Sequence, residues 1–307
     1  MIEHSFKAMG GPCRLRLDTQ SSELADIAIE RVLAELDRLE TKYSRYLSDS
    51  LTTRINAAAG KETPVAIDRE TAGLLQYADT LYRESSGLFD LTSGVLRRAW
   101  NFTGDSAPST AELESLLPLV AWPEVDWNQE HVALPRAGME LDFGGVVKEY
   151  ACDAAAGVLA ALGLDHALVD LAGDLAVTGP RADGSPWPVG IRHPRYAGQA
   201  AAELHMVAGG LASSGDYERC LVIDGERYGH ILHPRTGWPV RGLLAVSITS
   251  PQCLVAGSLA TVAMLKPARE AIAWLDSLGV TWFAVDAELR CHRGPAAAPG
   301  VERSGQS

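Results

Sequence analysis

The residues best suited to chemistry lie between positions 140 and 180, around a glycine pair that precedes a predicted helix. Asp142 stands just before Gly144-Gly145, and Lys148 falls in the first helical turn. A cation there opposes the positive end of the helix dipole, which indicates an anion nearby. A strand, a glycine turn and a helix N-terminus commonly hold phosphate. Because the spacing is neither GxGxxG nor a P-loop, a plain βαβ connection without a ligand is the alternative interpretation.

Two histidines offer a second chemical site. His230 and His233 lie three residues apart on a predicted strand that runs into Pro-Arg-Thr-Gly. Side chains three apart on a strand point to opposite faces, so a shared metal ion is disfavoured. One histidine that faces a cleft as a base is the better interpretation. The polar stretch 213–220 is interpreted as a turn that enters a hairpin. Thr261, in an apolar helix, is of a kind that usually bonds back to its own helix backbone.

The elements that must position these residues follow from hydrophobic periodicity. Residues 22–42 form an amphipathic helix that Ser22 can cap, and Asp68 caps a second helix. Apolar residues three and four apart predict a helix from Val147 that stops at Gly163. The remaining predicted elements are a strand over 13–17, a short strand over 63–67, a strand over 166–177 broken at Ala172-Gly173-Asp174, a strand over 187–194, a hairpin around Asp224-Gly225, a strand over 243–250, a helix from Cys253, a helix over 268–277 and a last strand over 282–286.

Composition excludes several classes of protein. The 307 residues are 47% hydrophobic and 21% charged, which is typical of a globular protein. A net charge of -12 argues against nonspecific nucleic-acid binding. Because no apolar run approaches the ~20 residues of a membrane helix, no membrane insertion is expected. The N-terminus lacks a charged-then-apolar signal region, so a cytoplasmic location is expected.

The organisation predicted is a single α/β (mixed α+β) domain. No internal repeat or linker interrupts residues 1–292, whereas residues 293–307 have the composition of a disordered tail. The five cysteines are odd in number, widely spaced and contain no CxxC. Neither a disulfide framework nor a zinc site is therefore indicated.

Taken together, eight short motifs resemble the FAD:protein FMN transferase family, often called ApbE. Each motif is weak alone, but their order is preserved from residue 9 to about residue 265. The motifs are Met9-Gly10-Gly11, Ser44-Arg45-Tyr46, Phe89-Asp90-Leu91-Thr92, Asp142 to Lys148, Asp170 to Asp174, Ser213 to Tyr217, His230 to Gly237, and Ala256 to Thr261.

The resemblance implies a fold and a reaction. The fold would be an ApbE-like single domain with mixed sheets flanked by helices. In the reaction, a hydroxyl of a threonine or serine in an acceptor flavoprotein attacks the pyrophosphate of FAD. FMN stays on the acceptor as a phosphoester, and AMP leaves. A divalent cation, Mg²⁺, neutralises charge as the bond breaks. A base near the attacking hydroxyl is also required.

The resemblance further assigns roles to individual residues. His230, Lys148 and Asp142 are the implied catalytic residues, with His230 as the base or orienter and Lys148 at phosphate. The implied FAD-binding residues are Met9, Tyr46, Leu88, Phe89, Asp90, Lys148, His230 and Ile231. The carbonyl of Gly145 and the side chain of Thr261 match the magnesium ligands, and Gly257 occupies the position of the family's metal-binding aspartate.

The sequence departs from the family pattern in several motifs, at Gly11, Glu149, Ala172, His233 and Gly257. Gly257 has no side chain, so one charged ligand is missing, which should weaken magnesium binding. Glu149 replaces a glycine and His233 replaces an aspartate, and either is a candidate to compensate. The resemblance predicts that Gly257→Asp increases magnesium affinity. A protein that binds FAD or FMN without catalysis, and an FAD pyrophosphatase that yields FMN and AMP, remain the alternatives. The acceptor and the oligomeric state are not specified by the sequence.

Overall fold

The computed structural model of the chain describes residues 1–217 and 219–294. Its strands are β1 (Ile2–Ala8), β2 (Gly11–Leu17), β3 (Val65–Ala66), β4 (Asp126–Trp127), β5 (His131–Ala133), β6 (Ala167–Leu171), β7 (Asp174–Val177), β8 (Trp187–Arg192), β9 (Ala200–Met206), β10 (Gly209–Gly215), β11 (Cys220–Ile223), β12 (Glu226–Gly229), β13 (Ala245–Ser250), β14 (Thr281–Val285) and β15 (Cys291–Arg293). Its helices are α1 (Ser22–Tyr43), α2 (Leu51–Ala57), α3 (Arg69–Glu84), α4 (Thr110–Leu116), α5 (Val147–Ala161), α6 (Cys253–Met264) and α7 (Ala268–Ser277).

The described residues group into two compact units. The first comprises Met1–Glu40, Val147–Gly215 and the residues from Gly242 onward, and the second comprises Thr41–Val146 and Asp216–Arg241. Both contain strands and helices, which confirms the predicted mixed α/β class. The single domain predicted over residues 1–292 stays a prediction.

The first unit is built on an eight-stranded sheet. Its strand order is β1-β2-β6-β7-β10-β13-β14-β15, and neighbouring strands run antiparallel. Helix α5 packs on β6 and β7, α6 packs on β10 and β13, and the two helices touch each other. They therefore lie side by side on one face of the sheet, and this arrangement brings the first turn of α5 against α6.

The segment that leads into α5 differs from the prediction. Residues 134–142 hold no strand. Instead, Asp142 caps a 3₁₀ turn over Phe143–Gly145, and its carboxylate accepts the Gly144 N–H at 2.9 Å. Helix α5 begins directly afterwards and ends before Gly163, whose φ of 76° suits the residue after a helix. The βαβ interpretation is therefore wrong, because the glycine pair forms a tight turn rather than the end of a strand.

The broken strand predicted over 166–177 is a tight hairpin. Strands β6 and β7 pair antiparallel, with Leu171 opposite Asp174. The two residues between them, Ala172 and Gly173, have φ values of 55° and 98°. Positive φ at both positions is the signature of a type I′ turn, whose twist matches that of the flanking strands. The turn fixes Asp174 as the first residue of β7.

Capping residues show how local sequence sets the helix starts. Ser21, rather than the predicted Ser22, accepts the Leu24 N–H at 3.2 Å and caps α1. Asp68 caps α3 as predicted, through the Thr71 N–H at 3.0 Å. Helix α7 spans the predicted residues. The polar stretch 213–220 was predicted to be a turn that enters a hairpin. Its first residues, Ser213 to Gly215, instead belong to strand β10.

The second unit has smaller sheets and an aromatic cluster. Strands β3, β5 and β4 form one sheet, and the predicted hairpin is confirmed as β11 and β12. The Trp100 ring stacks on Phe102 at 5.7 Å and meets the Trp238 ring edge-on at 5.4 Å. Its indole N–H donates to the Gly237 carbonyl at 2.7 Å. These contacts fix the turn that follows His230.

The C-terminal prediction is only partly described. Arg293, the first residue of the predicted tail, is the last residue of β15. Residues 295–307 lie outside the described residues. Over the ranges 1–217 and 219–294, no helix combines the length and the apolar character needed to cross a membrane.

Candidate active site

Lys148, in the first turn of α5, forms an ion pair with Asp174 at the start of β7. Its Nζ lies 2.7 Å from Oδ2 of Asp174, whose side chain is 2% exposed. The other carboxylate oxygen accepts the Ser213 N–H at 3.3 Å. Burial raises the pKa of Asp174, while the Lys148 ammonium acts in the opposite direction. The protein itself therefore supplies an anion beside Lys148, and the phosphate contact stays a prediction.

Gly257 and Thr261 lie one turn apart on the same face of α6. Oγ1 of Thr261 lies 3.1 Å from Oγ of Ser214 in β10, so this hydroxyl has a partner outside its own helix. A Cβ on Gly257 would lie 2.5 Å from Cγ and 2.8 Å from Oε1 of Glu149. The Glu149 side chain, 8% exposed, thus fills the space in front of Gly257.

Asp142 is a buried carboxylate with several cationic neighbours. Its Oδ2 lies 2.9 Å from Nη1 of Arg45 and 3.2 Å from Nη1 of Arg97. Burial by itself would raise the pKa of Asp142, but Arg97, Arg45 and the Gly144 N–H outweigh burial and hold the pKa below its usual value. The charged carboxylate is held by these three groups. Asp142 is therefore suited to position the turn that carries Gly145.

A Cβ on Gly145 would lie 3.5 Å from Cζ of Phe89, which is buried. Phe89 and Leu88 follow a turn with positive φ at Ser86, 56°, and at Gly87, 79°. This turn places the predicted flavin-binding segment directly against the glycine pair.

Asp90 caps the 3₁₀ helix that spans Leu91–Arg98. Its Oδ1 accepts the Thr92 N–H at 2.7 Å and the Thr92 hydroxyl at 2.5 Å. Burial raises the pKa of Asp90, and the Thr92 hydrogen bonds oppose that change. The carboxylate therefore holds the local backbone, and a contact of Asp90 with FAD stays a prediction.

His230 and Ile231 lie after the end of β12 rather than on a strand, which corrects the sequence interpretation. The Ile231 carbonyl accepts the Val240 N–H at 3.0 Å, and the chain between them folds back in a compact loop. Arg235 in this loop donates to the Ser86 carbonyl. The histidine segment and the Leu88–Phe89 segment are thereby joined within the second unit.

His233 organises the turn of this loop. Its backbone carbonyl accepts the Gly237 N–H at 2.8 Å, and its Nδ1 accepts the Arg235 N–H at 3.2 Å. Burial lowers the pKa of His233, and the Arg235 charge lowers it further. A neutral imidazole keeps Nδ1 available as an acceptor, and a side-chain acceptor two residues before an N–H is what an aspartate supplies in an Asx turn.

Two predicted cofactor residues lie in exposed or turn positions. Tyr46 is 77% exposed. Met9 has a φ of 52° in the turn between β1 and β2, and its N–H donates to Oε2 of Glu40 at 2.8 Å.

Close packing requires a glycine at position 11, the last residue of the Met9-Gly10-Gly11 motif. A Cβ there would lie 2.6 Å from Cβ of Ala172. A side chain at position 11 is therefore excluded while Ala172 keeps its place.

Comparison with known proteins decides the family. The ApbE family profile matches residues 9–283. The chain belongs to the ApbE family. An FAD:protein FMN transferase of Treponema pallidum is 33% identical over 278 residues, which cover 82% of this chain and 75% of that protein. An FAD:protein FMN transferase of Haemophilus influenzae is 29% identical, over 85% of this chain and 79% of that protein. The crystal structure of the ApbE protein of Thermotoga maritima superposes with a TM-score of 0.87 at 29% identity, covering 95% of this chain and 96% of that one.

Two glycines of the predicted motifs each face a side chain from a distant part of the sequence. A Cβ on Gly257 would collide with Glu149, and a Cβ on Gly11 would collide with Ala172. In each pair, the side chain of one residue occupies the space that the glycine leaves open.

The predicted site residues divide between the two units. Those in the first unit are Met9, Lys148, Gly257 and Thr261. Those in the second unit are Tyr46, Leu88, Phe89, Asp90, Asp142, Gly145, His230 and Ile231. Sequence reasoning missed Arg45 and Arg97 as partners of Asp142. Arg45 lies inside the Ser-x-Tyr motif. A basic residue in one motif and an acidic residue, Asp142, in another was the available signal for this ion pair.

Proposed function

We propose that this chain is an FAD:protein FMN transferase. The supporting observation is the match to the ApbE family over residues 9–283, with a relative named FAD:protein FMN transferase that is 33% identical and covered over 75% of its length. The acceptor oxygen forms a bond to the phosphorus of the FMN half. The bond between that phosphorus and the bridging oxygen breaks, AMP leaves with this oxygen, and the hydroxyl proton passes to a base.

Lys148 is proposed to bind the pyrophosphate. A charge-assisted hydrogen bond from an ammonium to phosphate is stronger than a neutral one. The buried Asp174 carboxylate holds the ammonium at one place, which limits the orientational freedom that binding would otherwise have to remove.

His230 is proposed to accept the proton, since an imidazole titrates near neutral pH. Asp142 is proposed to position the backbone around Gly145, because its charge is already committed to Arg45 and Arg97. Phe89, with Leu88 and Ile231, is proposed to offer an apolar surface to the flavin ring. Met9, Tyr46 and Asp90 complete the proposed FAD-binding set.

A divalent cation, Mg²⁺, is proposed as the cofactor, and it would neutralise charge on the pyrophosphate when bound. Within the described ranges no group of three or more His, Cys, Asp or Glu side chains is arranged to hold a metal ion. Magnesium needs only one or two carboxylates, with water and substrate phosphate as further ligands. The buried Glu149 carboxylate, which lies against Gly257 of α6, supports this proposal. The Thr261 hydroxyl and the Gly145 carbonyl are the other proposed donors.

The experiment measures AMP release from FAD in magnesium, with and without an acceptor protein that a relative is able to modify. A transferase releases AMP only when the acceptor is present. AMP without acceptor would establish a pyrophosphatase, and bound FAD without any AMP would establish a flavin-binding protein. The predicted cytoplasmic location stays a prediction that fractionation of cells expressing the chain would test.

A further inference from the structure

The acidic side chain next to Gly257 comes from another helix. The Glu149 carboxylate extends from the first turn of α5 to within 2.8 Å of the point where a Gly257 Cβ would stand. A side chain on Gly257 would have to displace Glu149. The sequence-based expectation for Gly257→Asp alone is therefore revised, because the new carboxylate would compete with Glu149 for one space.

The carboxylate of Glu149 itself, and not only its alkyl stem, lies against Gly257. A Cβ on Gly257 would lie 2.5 Å from Cγ, 2.8 Å from Oε1 and 2.9 Å from Cδ of Glu149. The residue is 8% exposed, so this acidic group is held inside the protein beside α6.

The same face of α6 carries hydroxyl oxygen donors. Thr261 is one turn beyond Gly257, which places successive side chains on this face about 5–6 Å apart. The Ser214 hydroxyl is 3.1 Å from that of Thr261. A carboxylate beside Gly257 and hydroxyl oxygens one helical turn further along α6 are hard oxygen donors of the kind that magnesium and manganese(II) prefer.

We propose that Glu149 is a ligand of the divalent cation and supplies, from α5, the carboxylate that position 257 of α6 lacks. This inference rests on the proposed function, because the cation is the one required by FMN transfer. The Glu149 carboxylate occupies the space that a side chain at position 257 would need. Glu149 is thus assigned as a ligand particular to this chain and not as the residue inherited from the family pattern.

The test is a titration of the intact protein with manganese(II). Binding is measured as the loss of the free-ion signal in electron paramagnetic resonance. Glu149→Gln keeps the shape and removes the charge, so affinity should fall at least about tenfold, since ligand charge count sets affinity at such sites. Glu270→Gln, the same change on the exposed face of α7, is the matched control and should bind as wild type. The double variant Glu149→Gly/Gly257→Asp returns the carboxylate to α6 and should recover most of the lost affinity.

Wild-type affinity in Glu149→Gln, or no manganese binding by the wild type, would overturn the inference. The inference would also be overturned if the folded double variant bound manganese(II) no better than Glu149→Gln. Positions 149 and 257 would then not contribute ligands to the same site. The outcome is separable from that of the proposed function. FMN transfer with Glu149-independent metal binding refutes only the ligand assignment, whereas Glu149-dependent binding without transfer refutes only the transferase.

Discussion

Lys148 and Asp174 form an ion pair of 2.7 Å in which the acid is almost wholly buried and the base is a quarter exposed. In this pair the carboxylate fixes the position of the ammonium, and a quarter of the Lys148 side chain remains accessible to solvent. A lysine at a helix N-terminus is locally unfavourable. Asp174 compensates for this, because the hairpin turn at Ala172-Gly173 delivers its carboxylate to the first turn of α5.

Replacing Lys148 should have two separable effects. Lys148→Ala leaves a buried carboxylate without its cation, which typically costs about 3–5 kcal/mol of folding free energy. Lys148→Met/Asp174→Asn removes both charges and should recover most of that stability in urea unfolding. Neither variant should regain wild-type FAD affinity, measured by quenching of flavin fluorescence. FAD affinity equal to wild type in the stable double variant would exclude Lys148 from the phosphate site.

The Gly11 and Ala172 pair predicts a compensating double variant. Gly11→Ala puts a methyl group 2.6 Å from Cβ of Ala172 and should destabilise the first unit by about 1–3 kcal/mol. Ala172→Gly removes the obstacle and also suits the positive φ of 55° at that position. The double variant should therefore unfold near the wild-type midpoint. Additive effects of the two changes in chemical denaturation would show that the residues do not share this space.

Asp142 should make the stability of the protein depend on acid pH. Its pKa in the folded state lies below the usual value of 3.8, so the unfolded chain binds a proton first as pH falls. The stabilisation is present above that value and is lost as pH falls through the folded-state pKa. Asp142→Asn should flatten the decline in unfolding free energy below about pH 5. The exposed Asp105→Asn is the control, and an identical pH profile in both variants would contradict the assignment.

His233 should affect stability nearer neutral pH, with a sign that follows from its lowered pKa. The unfolded imidazole protonates near 6.5 before the folded one does, so stability is greatest above that value and falls as pH drops toward the folded pKa. His233→Asp keeps a turn acceptor for the Arg235 N–H and should remove this pH dependence between about pH 7 and 5. His233→Ala should lose about 1 kcal/mol at neutral pH, since the acceptor is gone. A His233→Asp protein as unstable as His233→Ala would argue against the turn role.

Local chemistry predicts much of this structure. Periodicity predicts α1, α3 and α5, a run of small and apolar residues predicts α6, and the Asp224-Gly225 pair predicts the β11–β12 hairpin. Strand β1 is absent from the predicted elements although its burial alternates along the strand, and its place depends on pairing with β2. The 3₁₀ turn at Gly145 was read as a strand end, since a glycine pair before a helix suits both structures.

The candidate site also has one part that the sequence predicts and one part that depends on tertiary packing. The order of the motifs along the chain predicts the site residues, because motif order can be followed in the sequence alone. The neighbours of Gly257 and Gly11 were not identifiable in this way. Which side chain stands over Gly257 depends on how α5 lies against α6, and which stands over Gly11 depends on the turn that follows β6. From the sequence, Glu149 could be recognised only as a residue that replaces a glycine of the family motif.

The most direct measurement maps the flavin on the acceptor after incubation with this protein, FAD and magnesium. The acceptor is digested, and the fluorescent peptide is identified by mass spectrometry, with an acceptor whose target threonine is replaced by alanine as control. FMN transfer predicts one peptide that carries FMN on the threonine hydroxyl, with one AMP released per flavin attached, and no labelled peptide from the control. An unmodified acceptor, one that an intact relative modifies under the same conditions, would contradict the proposed function.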